Sequence, residues 1–114
     1  MPERRTTPRR NFSYYMRVVD DMTQQLVGHL SDISLRGFKL DCSQALPAEK
    51  DFRLRMDLTS DISDRPSIVF TARSKWCRPD SIDPFINNVG FEIINISIVD
   101  GQIYQRIVEK YGSL

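Results

Sequence analysis

Two cysteines and one histidine supply all the soft metal ligands of this 114-residue chain. Cys42 and Cys77 form no CxxC pair, and with His29 they fall one ligand short of a standard four-ligand zinc site. Both stand in strand-like patterns, where a cysteine behaves as a small buried hydrophobe. There is no excess of charge of one sign: the formal net charge is +1, which excludes a polycation that coats nucleic acid or membrane. No apolar run approaches the length of a membrane-spanning helix, and the N-terminus lacks the apolar core of a secretory leader. A cytoplasmic location is the expectation, and with it free thiols rather than a disulfide. The sequence also lacks internal repeats, a phosphate-cradling glycine loop and a nucleophile elbow. Asp32, Ser34 and His29 are triad residue types, but Asp32 and Ser34 stand too close on one strand to act as relay partners. These absences argue against an enzyme.

The length suits one domain, and 40% hydrophobic residues can fill a small core. Residues 1–12 show no periodicity and carry Pro2 and Pro8, which reads as a flexible arm. Residues 13–114 read as one folded body. Its dominant period is two. Strands are expected at Tyr14 to Val19, Leu26 to Ile33, Phe38 to Cys42, Phe52 to Leu58, Ile68 to Cys77 and Val89 to Ile96. In the fourth, Phe52, Leu54, Met56 and Leu58 alternate with Arg53, Arg55 and Asp57. The loops TSDISDRPS and RPDSIDPFINN between later strands are rich in Ser, Asp and Pro. Near the C-terminus Ile103, Ile107, Val108 and Tyr111 switch to helical spacing, predicting a helix over about 99–112. Ser97 and Asp100 stand at capping-box spacing, Lys110 suits the helix dipole and Gly112 suits the stop. The fold class is therefore mainly β: a six-stranded antiparallel β-barrel with a C-terminal α-helix, and with an N-terminal flexible arm. Barrel closure would leave no exposed strand edge.

The charge that is present is local. The segment ERRTTPRR holds Arg4, Arg5, Arg9 and Arg10, all arginine and no lysine. A guanidinium grips phosphate bidentately, reads O6 and N7 of guanine with the same fork, and stacks on a purine. A solvated basic tail is the plain alternative. About two dozen residues on, the hexapeptide DISLRG joins two strands. Asp32 can accept from the donors of a guanine edge, Ser34 can cap the turn or bond a ligand, and Gly37 permits positive φ or a close backbone approach. Alone, this hexapeptide is an ordinary turn.

Together, Arg5 and Arg9 as RxxxR and Asp32, Ser34 and Gly37 as DxSxxG resemble the signature of the PilZ family of cyclic di-GMP receptors. The resemblance covers nearly the whole chain, and neither motif departs at its defining positions. It implies a split-barrel type of β-barrel with an arm that folds over the ligand. The arginines would hold phosphates and guanines, while Asp32 and Ser34 bind guanine edges. Arg4, a basic residue just before RxxxR, goes in similar proteins with two intercalated ligand molecules; arginine bridging would offset their roughly four negative charges. Arg10 and Arg36 are further candidate phosphate contacts. Trp76 shares parity with Ile68, Phe70 and Ala72, which points to the core, yet some family members place a tryptophan beside the ligand. No metal or other cofactor is implied. The expected partners are cyclic di-GMP and an unidentified downstream protein, with the chain a monomer or weak homodimer. A non-binding adaptor of the same fold and a basic-armed nucleic-acid barrel are the alternatives. Against the latter, aromatics do not interleave with basic residues on one strand face.

Overall fold

The computed structural model describes residues 16–112. Tyr14, Tyr15 and the four arginines of the N-terminal segment lie outside the described residues. Alternating apolar positions produce six strands: β1 (Arg17–Asp20), β2 (Leu26–Ile33), β3 (Gly37–Cys42), β4 (Lys50–Asp57), β5 (Ser67–Pro79) and β6 (Asn87–Ile96). A helix, α1 (Ile98–Tyr111), follows. All neighbouring strands are antiparallel, in the order β1-β2-β3-β6-β5-β4. Pairing of Val18 with Met56 joins β1 to β4 and closes the barrel.

β5 and β6 run further than the alternation suggests. Pairing continues beyond the core through Arg78 with Asn88 and Pro79 with Asn87. β4 likewise starts at Lys50, which pairs with Ser74.

The interior is filled from all strands, with Leu30, Leu40, Leu54, Met56, Ile68, Phe70 and Val89 fully buried. Phe38 stacks on Phe91 at 5.1 Å between ring centroids and meets Phe70 edge-on at 5.5 Å, geometries favoured by aromatic quadrupoles. Helix α1 adds Ile103, Tyr104 and Ile107 to the same core.

The helix ends are tied to the barrel. Ser97 Oγ accepts from the Asp100 amide at 3.1 Å, as an N-cap should. The Asp100 carboxylate serves a different purpose from the reciprocal arm of a capping box. Its Oδ2 accepts from the Val69 amide at 3.2 Å, and its Oδ1 faces Arg65 at 3.2 Å. At the other end Arg106 donates to the Ile62 carbonyl at 2.9 Å, and Asp61 receives Tyr111 and Lys110 at 2.8 and 2.7 Å. Hydrogen bonds from Lys110, Thr59 and Tyr111 hold the Asp61 carboxyl well below the usual carboxylate range. Among the described residues no helix is long and apolar enough to cross a membrane.

Candidate functional site

Two β-bulges, each an extra residue in one strand of a pair, build the site. In β2 and β3, Leu30 opposes Leu40, but the next pair is Asp32 with Lys39, leaving Ser31 as the extra residue. Strict alternation would place Asp32 inside with Leu30. The bulge resets the phase, so Asp32 turns to the outer face while Ile33 returns to the core opposite Phe38. Ser31 is buried, and its hydroxyl donates to the Lys39 carbonyl at 3.2 Å.

The second bulge lies in β5. Ser74 opposes Phe91, yet Trp76 opposes Gly90 and Cys77 opposes Val89, leaving Lys75 as the extra residue. This corrects the parity argument for Trp76. The slip turns its indole outward, and Cys77 rather than Trp76 packs against the core. The indole lies over Gly90: a Cβ there would stand 2.3–2.6 Å from Cε2, Nε1 and Cζ2. The Arg78 guanidinium sits 4.8 Å from the indole centroid, a cation–π distance.

Because β2, β3, β6 and β5 are consecutive around the barrel, the two bulges deliver Asp32 and Trp76 to one outer surface. Between them lies a pocket of about 330 Å³, at the lower end of the range for ligand sites. Asp32, Ser34, Arg36, Gly37, Lys39, Lys75, Trp76, Gly90 and Glu92 line it. Charges of both signs meet there; Lys75 Nζ stands 3.2 Å from Glu49 and 3.9 Å from Glu92.

The turn between β2 and β3 is tightly held. Ser34 donates its amide to the Gly37 carbonyl at 2.8 Å, and its exposed hydroxyl reaches the same oxygen at 3.3 Å. The Ile93 amide donates to the Arg36 carbonyl at 3.0 Å, binding the turn to β6. Gly37 is required by close approach, since a Cβ would stand 2.0 Å from the Phe91 carbonyl oxygen. Its φ is not positive.

Tyr104 was not singled out by the helical spacing, although it belongs to the same inward face as Ile103 and Ile107. It is 4% exposed, and its hydroxyl lies 2.7 Å from the Ser34 carbonyl and 2.9 Å from that of Gly37. Burial pushes the phenol well above its ordinary range, so it remains a donor.

His29 sits half-buried in β2 between Arg17 and Asp41, away from the pocket. Both cysteines are free. Burial is the main cause that pushes the Cys42 thiol up to about 12. Among the described residues no three His, Cys, Asp or Glu side chains cluster as metal ligands.

The family model of the PilZ domain matches residues 3–110. Among solved structures, the chain is similar to the Bacillus subtilis inhibitor of motility (MotI/DgrA), with a TM-score of 0.68 and 16% identity. That match covers 83% of this chain and 46% of the other, so this chain spans about half the length of its neighbour. At this identity the likeness is one of fold. A comparison with curated proteins finds no match.

Proposed function

The chain belongs to the PilZ domain family, whose members are binding and adaptor domains rather than catalysts, and from that premise we propose that it is a cyclic di-GMP receptor. The observation that carries the reading is the meeting of Asp32, Ser34, Arg36 and Gly37 with Trp76 at one outer pocket. Asp32 lies at the end of β2, Ser34 and Arg36 lie in the turn and Gly37 opens β3, while Trp76 arrives from β5 through the bulge that also turns Cys77 toward the core.

In this reading residues 1–12 are an arm that closes over the pocket, and residues 13–114 are the receiving body. Arg5 and Arg9 clamp phosphates and guanine, aided by Arg10. Asp32 accepts from the guanine N1 and N2 donors, Ser34 and Arg36 add polar contacts, and the Trp76 indole shields a base. Gly37 keeps the turn against β6. Arg4 bridges a second, intercalated ligand molecule. Ordering the arm costs conformational entropy, which the charge-assisted bonds offset. The closed arm offers a new surface to a downstream protein in motility, biofilm or exopolysaccharide control. The setting is cytoplasmic, where such a nucleotide messenger would be met, and the chain acts as a monomer or weak homodimer.

Isothermal titration with cyclic di-GMP, run beside Arg9→Ala, tests the proposal. Saturable binding near two ligands per chain, lost in the variant, is the expected result. A folded wild-type sample that gives no heat would refute it, and equal affinity of the variant would refute the arm.

A further inference from the structure

The Gly37 carbonyl oxygen receives three donors: the Ser34 amide at 2.8 Å, the Tyr104 hydroxyl at 2.9 Å and the Ser34 hydroxyl at 3.3 Å. A carbonyl has two lone pairs, and the two shorter contacts occupy them. The Ser34 hydroxyl is the longest contact and comes from an exposed side chain, so it is the one released at least cost. The Tyr104 hydroxyl also lies 2.7 Å from the Ser34 carbonyl, sharing its single proton between both ends of the turn in a three-centre arrangement. Its ring is fixed edge-on to Phe70 at 6.3 Å, so the hydroxyl is delivered from a rigid base on α1.

Resting on the receptor reading above, we infer that Tyr104 is a positioning residue for the ligand site: it fixes the turn by both its end carbonyls and leaves the Ser34 hydroxyl available to the nucleotide. Ligand affinity is thereby tied to the docking of α1, through a side chain that never touches the ligand. Without the phenol, the Ser34 hydroxyl, already 3.3 Å away, would become the second donor to the Gly37 carbonyl and be held there, and the Ser34 carbonyl would lose its tie to α1.

The test uses the full chain with Tyr104→Phe, which keeps the ring and its contact with Phe70. Tyr111→Phe is the control; it removes another hydroxyl of the same helix, one bonded to Asp61 in the loop between β4 and β5 and not to the β2–β3 turn. Native-state amide exchange should quicken about ten-fold at Ser34 and Ile93 in Tyr104→Phe, as expected for one lost hydrogen bond. The β4 amides and the Tyr111→Phe chain should not follow. Affinity for cyclic di-GMP should fall about ten-fold in Tyr104→Phe alone. Ser34→Ala should then cost less affinity in the Tyr104→Phe background than in wild type, because the two residues share one acceptor.

Uniformly faster exchange across the barrel, or unchanged exchange at Ser34, would overturn the positioning role whatever the ligand does. Equal affinity of wild type and Tyr104→Phe would overturn it while leaving the receptor reading intact. No binding by the wild-type chain would overturn both.

Discussion

Replacing Gly37 with alanine adds one methyl group at the tightest strand contact of the site. That carbon would stand 2.0 Å from the Phe91 carbonyl oxygen, 3.1 Å from the Phe91 carbonyl carbon and 3.2 Å from the Glu92 Cα. All three are backbone atoms of β6, so no side chain can swing aside. Ordinary contact near ~3.5 Å requires a retreat of about 1.5 Å. The retreat opens the pairing of Gly37 with Glu92 and of Phe38 with Phe91, and with it the Phe38–Phe91 stack. Overpacking costs about 1–3 kcal/mol, and a weakened ladder bond adds ~1 kcal/mol. A total near 3 kcal/mol is a large share of the ~5–15 kcal/mol that holds a domain of this size. At ~4 °C per kcal/mol the melting temperature should fall by about 12 °C. Gly101→Ala supplies the opposite sign. That glycine lies in α1, and its added Cβ meets only Ile96 Cγ2, at 3.7 Å. Relief of glycine's backbone entropy should raise stability by about 0.5–1 kcal/mol. Thermal unfolding followed by circular dichroism measures both. A Gly37→Ala chain that melts with wild type would refute the close-approach argument, and so would a loss in Gly101→Ala matching that in Gly37→Ala.

Gly90→Ala acts on a side chain instead of a backbone. The indole of Trp76 must lift from its seat 2.3–2.6 Å from the new Cβ, costing ~1 kcal/mol of rotamer strain and lost contact. Trp76 is the sole tryptophan, so its emission should shift while the fold persists, and an emission spectrum identical to wild type would show the indole lies elsewhere. Cys42 governs part of the alkaline limit of stability. Its folded pKa is raised above the unfolded value, so its contribution is complete below about pH 8.5 and is lost as pH rises toward about 12. Between pH 7 and pH 10 the unfolded thiol ionises and the folded one does not, which removes ~2 kcal/mol of stability. Cys42→Ala should lose that much less than wild type over this range in denaturant titrations. Parallel losses in both chains would mean that the folded thiol ionises too.

Much of the barrel was legible because its strands obey a local rule. β2 begins and ends where alternation placed it, and the core side of β4 is the predicted one. DISLRG was legible as a candidate site for the same reason: its parts lie within six residues, and Asp32, Ser34, Arg36 and Gly37 do line one pocket. The four arginines of the N-terminal segment lie outside the described residues, so their part in the site remains a proposal. Trp76 and Tyr104 were harder because their roles depend on registers and contacts between distant segments. Tyr104 reaches carbonyls 70 and 67 residues away, and helical spacing reports only that it faces inward. Parity pointed Trp76 to the core, and a single extra residue in β5 overturns that parity.

That slip did leave a trace in the sequence. Leu30 and Ile33, both buried, are three apart, and so are Ser74 and Cys77, whose partners Phe91 and Val89 both face the core. An odd spacing between inward residues of one strand demands a bulge between them, because alternation alone allows only even spacing. These two odd spacings leave Asp32 and Trp76 on the pocket, whereas a third, Ile93 to Ile96 in β6, accompanies the slip opposite Thr71 and Ala72. At the first two places one added residue per strand keeps Leu30, Ile33, Ser74 and Cys77 on the core side while Asp32 and Trp76 stand outside at the pocket.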